Sequence, residues 1–112
     1  MDKITKYQQI ILEVLKRYAS IKKNLTPLIK SHLIIDKENH HYQLLSMGWQ
    51  KNQHVFTVAF HVEIIGEKVW IQQNNTDVMI ADELCESGIL KSDIVLGFIP
   101  EKVREATGFA VE

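Results

Sequence analysis

The segment from 55 to 65 constrains the fold more than any other part of the sequence. Its even positions are all apolar: Phe56, Val58, Phe60, Val62 and Ile64. Several of its odd positions are polar, so apolar and polar residues alternate with a period of two. This period is typical of a β-strand that buries one face. The sequence therefore predicts a strand here with a core side and a second, mixed side.

A helix is predicted at the beginning of the chain. Apolar and aromatic residues recur there at helical spacing and share one side of the helix: Ile4, Tyr7, Ile11, Val14, Leu15 and Tyr18. The pattern fades around Ile21 to Asn24, before Pro27, which disfavours a helical residue in front of it. We therefore expect one amphipathic helix that ends in this region.

The strand from 55 to 65 belongs to a predicted antiparallel meander of about four strands. The others cover about 29–35 and 41–49 and a segment that begins at Lys68. A two-residue turn at Gly66-Glu67 pairs Glu63 with Trp70 and His61 with Gln72.

A second turn at Lys51-Asn52 decides which residues of the strand before it face the core. It predicts that Leu45, Met47 and Trp49 lie on the core face of the sheet. It also places Tyr42 on the opposite face. This opposite face would then carry a mixed set of side chains, namely Tyr42, His61, Glu63, Trp70 and Gln72.

A second helix is expected after the meander. Asn74, Asn75 and Thr76 provide a turn and an N-cap, and Asp77 would lie in the first helical turn. The apolar stripe consists of Ile80, Ala81, Leu84 and Cys85, and Gly88 after Ser87 suits a left-handed C-cap. An apolar segment at 94–99, a short helix at 101–106 and a docked tail at 109–111 follow, with their topology left open. The prediction is one α+β domain over 1–112.

Composition excludes several classes of protein. The 112 residues are 46% hydrophobic and 24% charged, which is typical of a folded globular domain. No apolar run approaches the roughly 20 residues that span a bilayer, and the first residues do not resemble a secretory signal. The expectation is a cytoplasmic protein with no membrane segment. Cys85 is the only cysteine, so an intrachain disulfide cannot form.

Charge is distributed unevenly along the chain. The net charge is −1, but residues 1–30 hold seven Lys or Arg and two Asp or Glu, so they carry +5 and the remainder carries −6. A near-neutral chain lacks the basic excess of an autonomous DNA-binding domain. The basic end is either a footprint for an acidic partner or a solvated helix face. Any DNA contact is expected to be weak or indirect.

No residue pattern indicates catalysis, a cofactor or a metal. Five histidines occur, with His40 and His41 near Asp36 and Glu38, but no metal-binding spacing is present. Cys85 lies on the buried stripe of a predicted helix, and no phosphate-binding loop or nucleophile elbow occurs. A small metal-dependent enzyme remains a third-ranked hypothesis that depends on the histidines alone.

The mixed face is the candidate functional surface. Exposed aromatic residues among polar groups are typical of interface anchors. The set Tyr42, His61, Glu63, Trp70 and Gln72 is therefore predicted to form a partner or homo-oligomer interface, or else to be covered by a helix of the same chain. Because so small a chain has little with which to cover this face, a homodimer or larger assembly is expected.

Several blocks of the sequence together form a recognisable pattern. They run in order through 41–44, 48–49, 61–64, 68–73, 80–84, 92–98 and 107–111. Trp-Ile-Gln-Gln at 70–73 and Asp-Ile-Val-Leu-Gly-Phe at 93–98 are unusual strings. With these blocks the sequence resembles the XisI family, small cyanobacterial proteins named excision controlling factors of the fdxN element. The resemblance covers essentially the whole chain.

The resemblance implies a non-enzymatic accessory factor in DNA recombination. Its role would be to control the site-specific excision of a DNA element during heterocyst differentiation, through binding to an XisH-type companion. The alternative is a regulatory, antitoxin-like module that restrains a nuclease-like companion, since the acidic C-terminal part suits a basic partner. The family offers no catalytic residue to carry over to this sequence.

Overall fold

Helices and strands follow one another in the predicted order, with one additional strand. The computed structural model describes residues 2–25 and 28–112, with only the backbone described for 22–25. The first helix and the meander are α1 (Lys3–Leu25), β1 (Ile29–Asp36), β2 (His41–Gln50), β3 (Gln53–Ile65) and β4 (Lys68–Asn74). The C-terminal part contains α2 (Ile80–Glu86), β5 (Ile94–Leu96) and α3 (Glu101–Arg104). The α+β class is confirmed, and Pro27, which was expected to follow the helix end, lies outside the described residues.

One sheet contains all five strands in the order β1-β2-β3-β4-β5. The first four strands are antiparallel, as predicted, whereas β5 runs parallel to β4 and pairs Ile94 with Val69. The apolar segment at 94–99 therefore supplies an edge strand, because α2 returns the chain to the same end of the sheet. The tail docks beside it, where the Ala110 N–H donates to the Ile94 carbonyl at 2.8 Å.

Two irregularities interrupt the strand pairing. Between β2 and β3 the register shifts at Leu44/Leu45, so Ala59 has no partner across the strands. Between β3 and β4 it shifts at His61/Val62, so Gln72 is the extra residue and His61 lies opposite Gln73. The predicted Glu63–Trp70 pair is confirmed, but the predicted His61–Gln72 pair is wrong by one residue for this reason.

The shift at Leu44/Leu45 reverses the predicted orientation of β2. Residues directly opposite each other share a face, and Tyr42 and Leu44 lie opposite Val62 and Phe60 in the core. Tyr42 is fully buried, so its predicted place on the mixed face is wrong. The predicted core position of Trp49 is also wrong, because its side chain is 61% exposed. A period of two carried across a bulge assigns every later residue to the wrong face.

The core lies between the sheet and the two longer helices. Residues of α1 and α2 pack on the face that carries Tyr42 and Phe60, and the ring centroids of Tyr18 and Phe60 lie 5.6 Å apart. The largest fully buried side chains are Tyr42, Phe60, Ile11, Leu15, Leu44, Ile71, Ile80, Leu84, Ile89 and Ile94. The amphipathic character of α1 is thus confirmed, and the opposite face of the sheet has neither helix on it.

The second helix begins later than the sequence predicts. The Thr76 hydroxyl accepts from the Val78 N–H at 3.1 Å and donates to Asn74 Oδ1 at 2.8 Å, so these residues form a turn that precedes the helix. The first helical residue is Ile80, which leaves Asp77 outside the helix. At the other end Gly88 is confirmed as a left-handed C-cap with φ 121°, and Ile89 after it is buried.

A buried carboxylate connects the beginning of α1 to the approach to β5. Asp93 is 8% exposed, accepts a 2.5 Å bond from the Tyr7 hydroxyl and lies 2.8 Å from Lys3 Nζ. Burial by itself raises the pKa of Asp93, but the bonds from Lys3 and Tyr7 outweigh it and hold this pKa below its ordinary value of 3.8. The contribution of Asp93 to stability is therefore present above pH 3.8 and is lost as the pH falls through its folded-state pKa.

Replacing Tyr7 with phenylalanine tests this connection. The ring stays in the core, but Asp93 loses a charge-assisted hydrogen bond, so we expect Y7F to lower the free energy of unfolding at neutral pH by about 1.5–3 kcal/mol. Because the Asp93 pKa then rises towards 3.8, the gap between variant and wild type should narrow in acid. Denaturant titrations at several pH values measure both effects, and equal stability at neutral pH would contradict the argument.

Candidate functional site

The sheet face opposite α1 and α2, here called the open face, carries the candidate site. Pairing registers place the following residues on it: Lys30, His32, Ile34, His41, Gln43, Leu45, Met47, Trp49, Phe56, Val58, His61, Glu63, Ile65 and Trp70. Several of its large apolar side chains are exposed, with Phe56 at 63% and Ile34 at 49%. The open face therefore combines polar groups with exposed apolar surface.

Five polar side chains form a hydrogen-bonded group at one end of this face, here called the polar cluster: His41, Gln43, His61, Glu63 and Gln72. His41 Nδ1 lies 3.3 Å from His61 Nε2 and 3.2 Å from Glu63 Oε2. Gln72 Nε2 donates to Glu63 Oε1 at 2.6 Å, and His61 Nδ1 lies 2.8 Å from Gln43 Oε1. Each member thus has a partner inside the cluster.

The contacts determine the protonation of His61. Gln43 Oε1 is an acceptor, so the proton of a neutral His61 lies on Nδ1 and leaves Nε2 free to accept from His41 Nδ1. Burial and the neighbouring His41 lower the pKa of His61 below 6.5, while the Glu63 carboxylate opposes this shift. His61 is therefore neutral at pH 7, and both of its ring nitrogens are occupied within the cluster.

The C-terminal segment covers one side of the open face. The Arg104 guanidinium lies 5.2 Å from the centre of the Trp70 ring and donates to the carbonyls of Ile99 and Val111 at 3.0 and 3.1 Å. The backbone at Gly97 lies so close to the Gln72 side chain that a Cβ on Gly97 would be 2.3 Å from Gln72 Oε1. The C-terminal segment of the same chain therefore partly covers Trp70.

The other end of the open face is more exposed. The Trp49 and His54 rings lie against each other at an angle of 50° with a centroid distance of 4.9 Å, and both side chains are exposed. Phe56 forms one wall of a shallow groove of about 440 Å³ that reaches the polar cluster. The groove is lined by Gln43, Phe56, Thr57, Val58, His61, Gln72, Gln73 and Asn75. The Phe56 ring, one imidazole and four side-chain amides therefore lie together around one depression.

The structure brings together four of the five predicted site residues. His61, Glu63 and Gln72 belong to the polar cluster, and Trp70 lies opposite Glu63 on β4. Tyr42 is the exception, because it is buried beneath α1. Sequence reasoning missed Gln43, Trp49 and Phe56 on this face, and the only signal for them was the alternation that the bulge reverses.

The polar side chains of this face are largely engaged with one another. Glu63 and His61 have their hydrogen-bonding atoms committed to neighbours, and burial raises the pKa of the Cys85 thiol, which disfavours a reactive thiolate. Within 2–25 and 28–112, no group of three or more His, Cys, Asp and Glu side chains forms a site that could hold a metal ion. No helix in this part of the chain is long and apolar enough to cross a membrane.

The fold and the open face define a class of small α+β proteins in which helices cover one side of a mainly antiparallel sheet. The family model described as XisI protein matches residues 1–111, and the chain belongs to the XisI family. The predicted resemblance is confirmed, and the names of the family and of its solved relatives are not names of enzymes.

Two solved structures from Anabaena variabilis are similar over nearly the whole chain. A XisI-like protein has 35% identity and a TM-score of 0.88 and covers 97% of this chain and 99% of its own. The fdxN element excision controlling factor XisI has 33% identity and a TM-score of 0.84, with coverage of 99% and 100%. Among curated proteins, none matches the chain.

The protonation of His61 gives a direct test of the polar cluster. We expect nuclear magnetic resonance titration to place the His61 pKa below 6.5, and E63Q to lower it further because the carboxylate is what raises it. The His32 ring, on β1, serves as the internal control, and its resonances should not respond to E63Q. A His61 pKa that rises in E63Q would contradict the arrangement.

Proposed function

We propose that this protein is a non-enzymatic accessory factor that controls the excision of a DNA element by binding a protein partner. Membership of the XisI family supports the role in excision control, as does the similarity to a protein named fdxN element excision controlling factor. The observation that carries the mode of action is the open face, where Phe56 and Trp49 are more than 60% exposed on the same side of the sheet as an internally bonded polar cluster. We propose an XisH-type protein as the partner and the cytoplasm as the place of action.

The open face suits a protein partner better than a small substrate. Exposed aromatic side chains supply most of the binding energy in protein interfaces, particularly when fixed polar groups surround them. The bonds inside the polar cluster hold its side chains in place before binding, which reduces the entropy lost on association. The groove beside Phe56 is shallow and open, so it suits a protruding side chain of a partner.

The distribution of charge supports an indirect contact with DNA. Lys6, Lys16 and Arg17 are exposed on α1, on the opposite side of the sheet from the open face. Arg17 already lies 3.6 Å from Glu83, so part of this charge is compensated within the molecule. A net charge of −1 leaves little electrostatic attraction for duplex DNA, whose binding is dominated by neutralised phosphates. We therefore propose that the companion makes the main contacts with DNA, in a DNA rearrangement of the kind that accompanies heterocyst differentiation.

Replacement of Phe56 with lysine tests the docking face. Phe56 is 63% exposed, so the fold should tolerate F56K, whereas a buried ammonium in the interface should weaken binding of a co-expressed XisH-type companion by about 30-fold or more. Met79→Lys is the matched control, because Met79 is 55% exposed at the start of α2, on the helix side. Calorimetry or interferometry on purified proteins measures the two affinities.

The outcomes separate the possible modes of action. Loss of binding in F56K with unchanged binding in M79K supports the open face as the docking site. Equal binding by both variants refutes it. Binding that silences a nuclease activity of the companion would favour the antitoxin-like alternative. Tight, steeply salt-dependent binding of duplex DNA by this protein alone would overturn the indirect contact.

A further inference from the structure

The sheet has one edge that no described strand covers. β5, at the other edge, has Ala110 bridged to Val95, whereas β1 pairs only with β2 among the described strands. β1 is eight residues long and contains no proline, so its outer side offers a long row of backbone donors and acceptors. Its apolar side chains are also incompletely covered, with Ile34 49% and Ile35 36% exposed. Natural proteins usually blunt, cover or pair such an edge.

We propose that β1 is a self-association edge, where the β1 strands of two copies pair antiparallel about a two-fold axis at Leu33. This arrangement joins two five-stranded sheets into one continuous sheet of ten strands. The second copy is the occupant because the strand is complementary to itself in charge. Its ends carry opposite charges, Lys30 near the beginning and Asp36 at the end.

The two faces of the sheet and the charges at the ends of β1 determine which residues lie opposite each other in the proposed pair. In a two-fold antiparallel pairing, apolar and polar faces continue across the junction only when paired residue numbers have an even sum. An axis at Leu33 satisfies this condition and places Lys30 opposite Asp36 of the second copy, twice. It also places His32 opposite Ile34 of the second copy, so Ile34 of each copy packs beside an imidazole. An axis at His32 would instead set Lys30 against Ile34 and leave both charges without a partner.

Asp36 is prepared for this contact by its own turn. Its Oδ1 accepts from the backbone N–H groups of Glu38 and Asn39 at 3.1 and 3.0 Å, and its Oδ2 accepts from Asn39 Nδ2 at 2.9 Å. These bonds, chiefly those from Asn39, hold the pKa of Asp36 below its ordinary value, so the carboxylate is charged at neutral pH. The carboxylate is also fixed in position, which reduces the entropy cost of pairing with a lysine.

The proposed β1 pairing does not depend on the proposed docking function. It would, however, change how many docking faces one assembly presents. When paired residue numbers have an even sum, α1 and α2 of both copies lie on one side of the joined sheet. Both open faces then lie together on the other side. One dimer would then present two identical docking faces to a partner that is itself dimeric, which raises the effective concentration of the second contact. Failure of the self-pairing leaves the docking of a single open face unaffected.

A charge reversal in the edge strand tests the pairing on the protein alone. Lys30→Glu should raise the dimer dissociation constant at least about tenfold, because each new carboxylate faces Asp36 of the second copy. Lys102→Glu is the matched control, since it makes the same charge change at an exposed residue of α3, outside the paired strands. Sedimentation equilibrium measures both constants, and F56K, which removes the docking contact, should dimerise like wild type.

Pairs of introduced cysteines test the register of the β1–β1 pairing even if the charge reversal has only a small effect on the dimer dissociation constant. In a Cys85→Ser background, His32→Cys with Ile34→Cys places each new thiol directly opposite another, where a disulfide forms readily. Lys30→Cys with Ile34→Cys places the thiols on a diagonal of about 7–8 Å, too far for efficient crosslinking. Crosslinked dimers in the first variant and their absence in the second are expected. A monomer at high micromolar concentration, or a dimer indifferent to all these changes, would overturn the proposal.

Discussion

The register shift between β2 and β3 is the constraint on which the rest of the structure depends. A single extra residue, Ala59, reverses the alternation of β3 beyond it, whereas the alternation of β2 continues unchanged. The β4–α2 connection satisfies the carbonyls at this point, because the Asn75 N–H donates to Ala59 and its side-chain amide to Val58, each at 2.9 Å. The shift places Tyr42 under α1 and leaves Phe56 on the open face, so core and candidate site have a common origin.

The open face is ordered by contacts within the chain, and this order is what suits it to the binding role proposed above. The polar cluster satisfies its own hydrogen-bonding groups, and the C-terminal segment holds Arg104 over Trp70. A partner therefore encounters side chains that are already fixed, with the desolvation of Glu63 partly compensated by Gln72. The same bonds orient His61 and Glu63 towards their neighbours in the cluster.

Surfaces with different properties occupy different parts of this small molecule. The basic side chains of α1 lie on the helix side, the exposed aromatics lie on the open face, and the β1 edge lies between them. The second copy and the protein partner proposed above would therefore contact different parts of the molecule. Relatives with 33–35% identity have nearly the same fold, which agrees with an architecture set by the buried core.

The sequence by itself determined the class of the fold, the order of its elements and the family. Helical and strand periods are local properties, so α1, the four antiparallel strands and the Gly88 cap could be predicted from neighbouring residues. Only the tertiary structure decided which residues share a face, because a bulge depends on contacts across strands that no local pattern encodes. It buried Tyr42, exposed Phe56, paired the 94–96 segment with β4 and joined Gln43 to His61. Packing between distant segments therefore determined which residues form the candidate site, and local sequence patterns predicted only some of them.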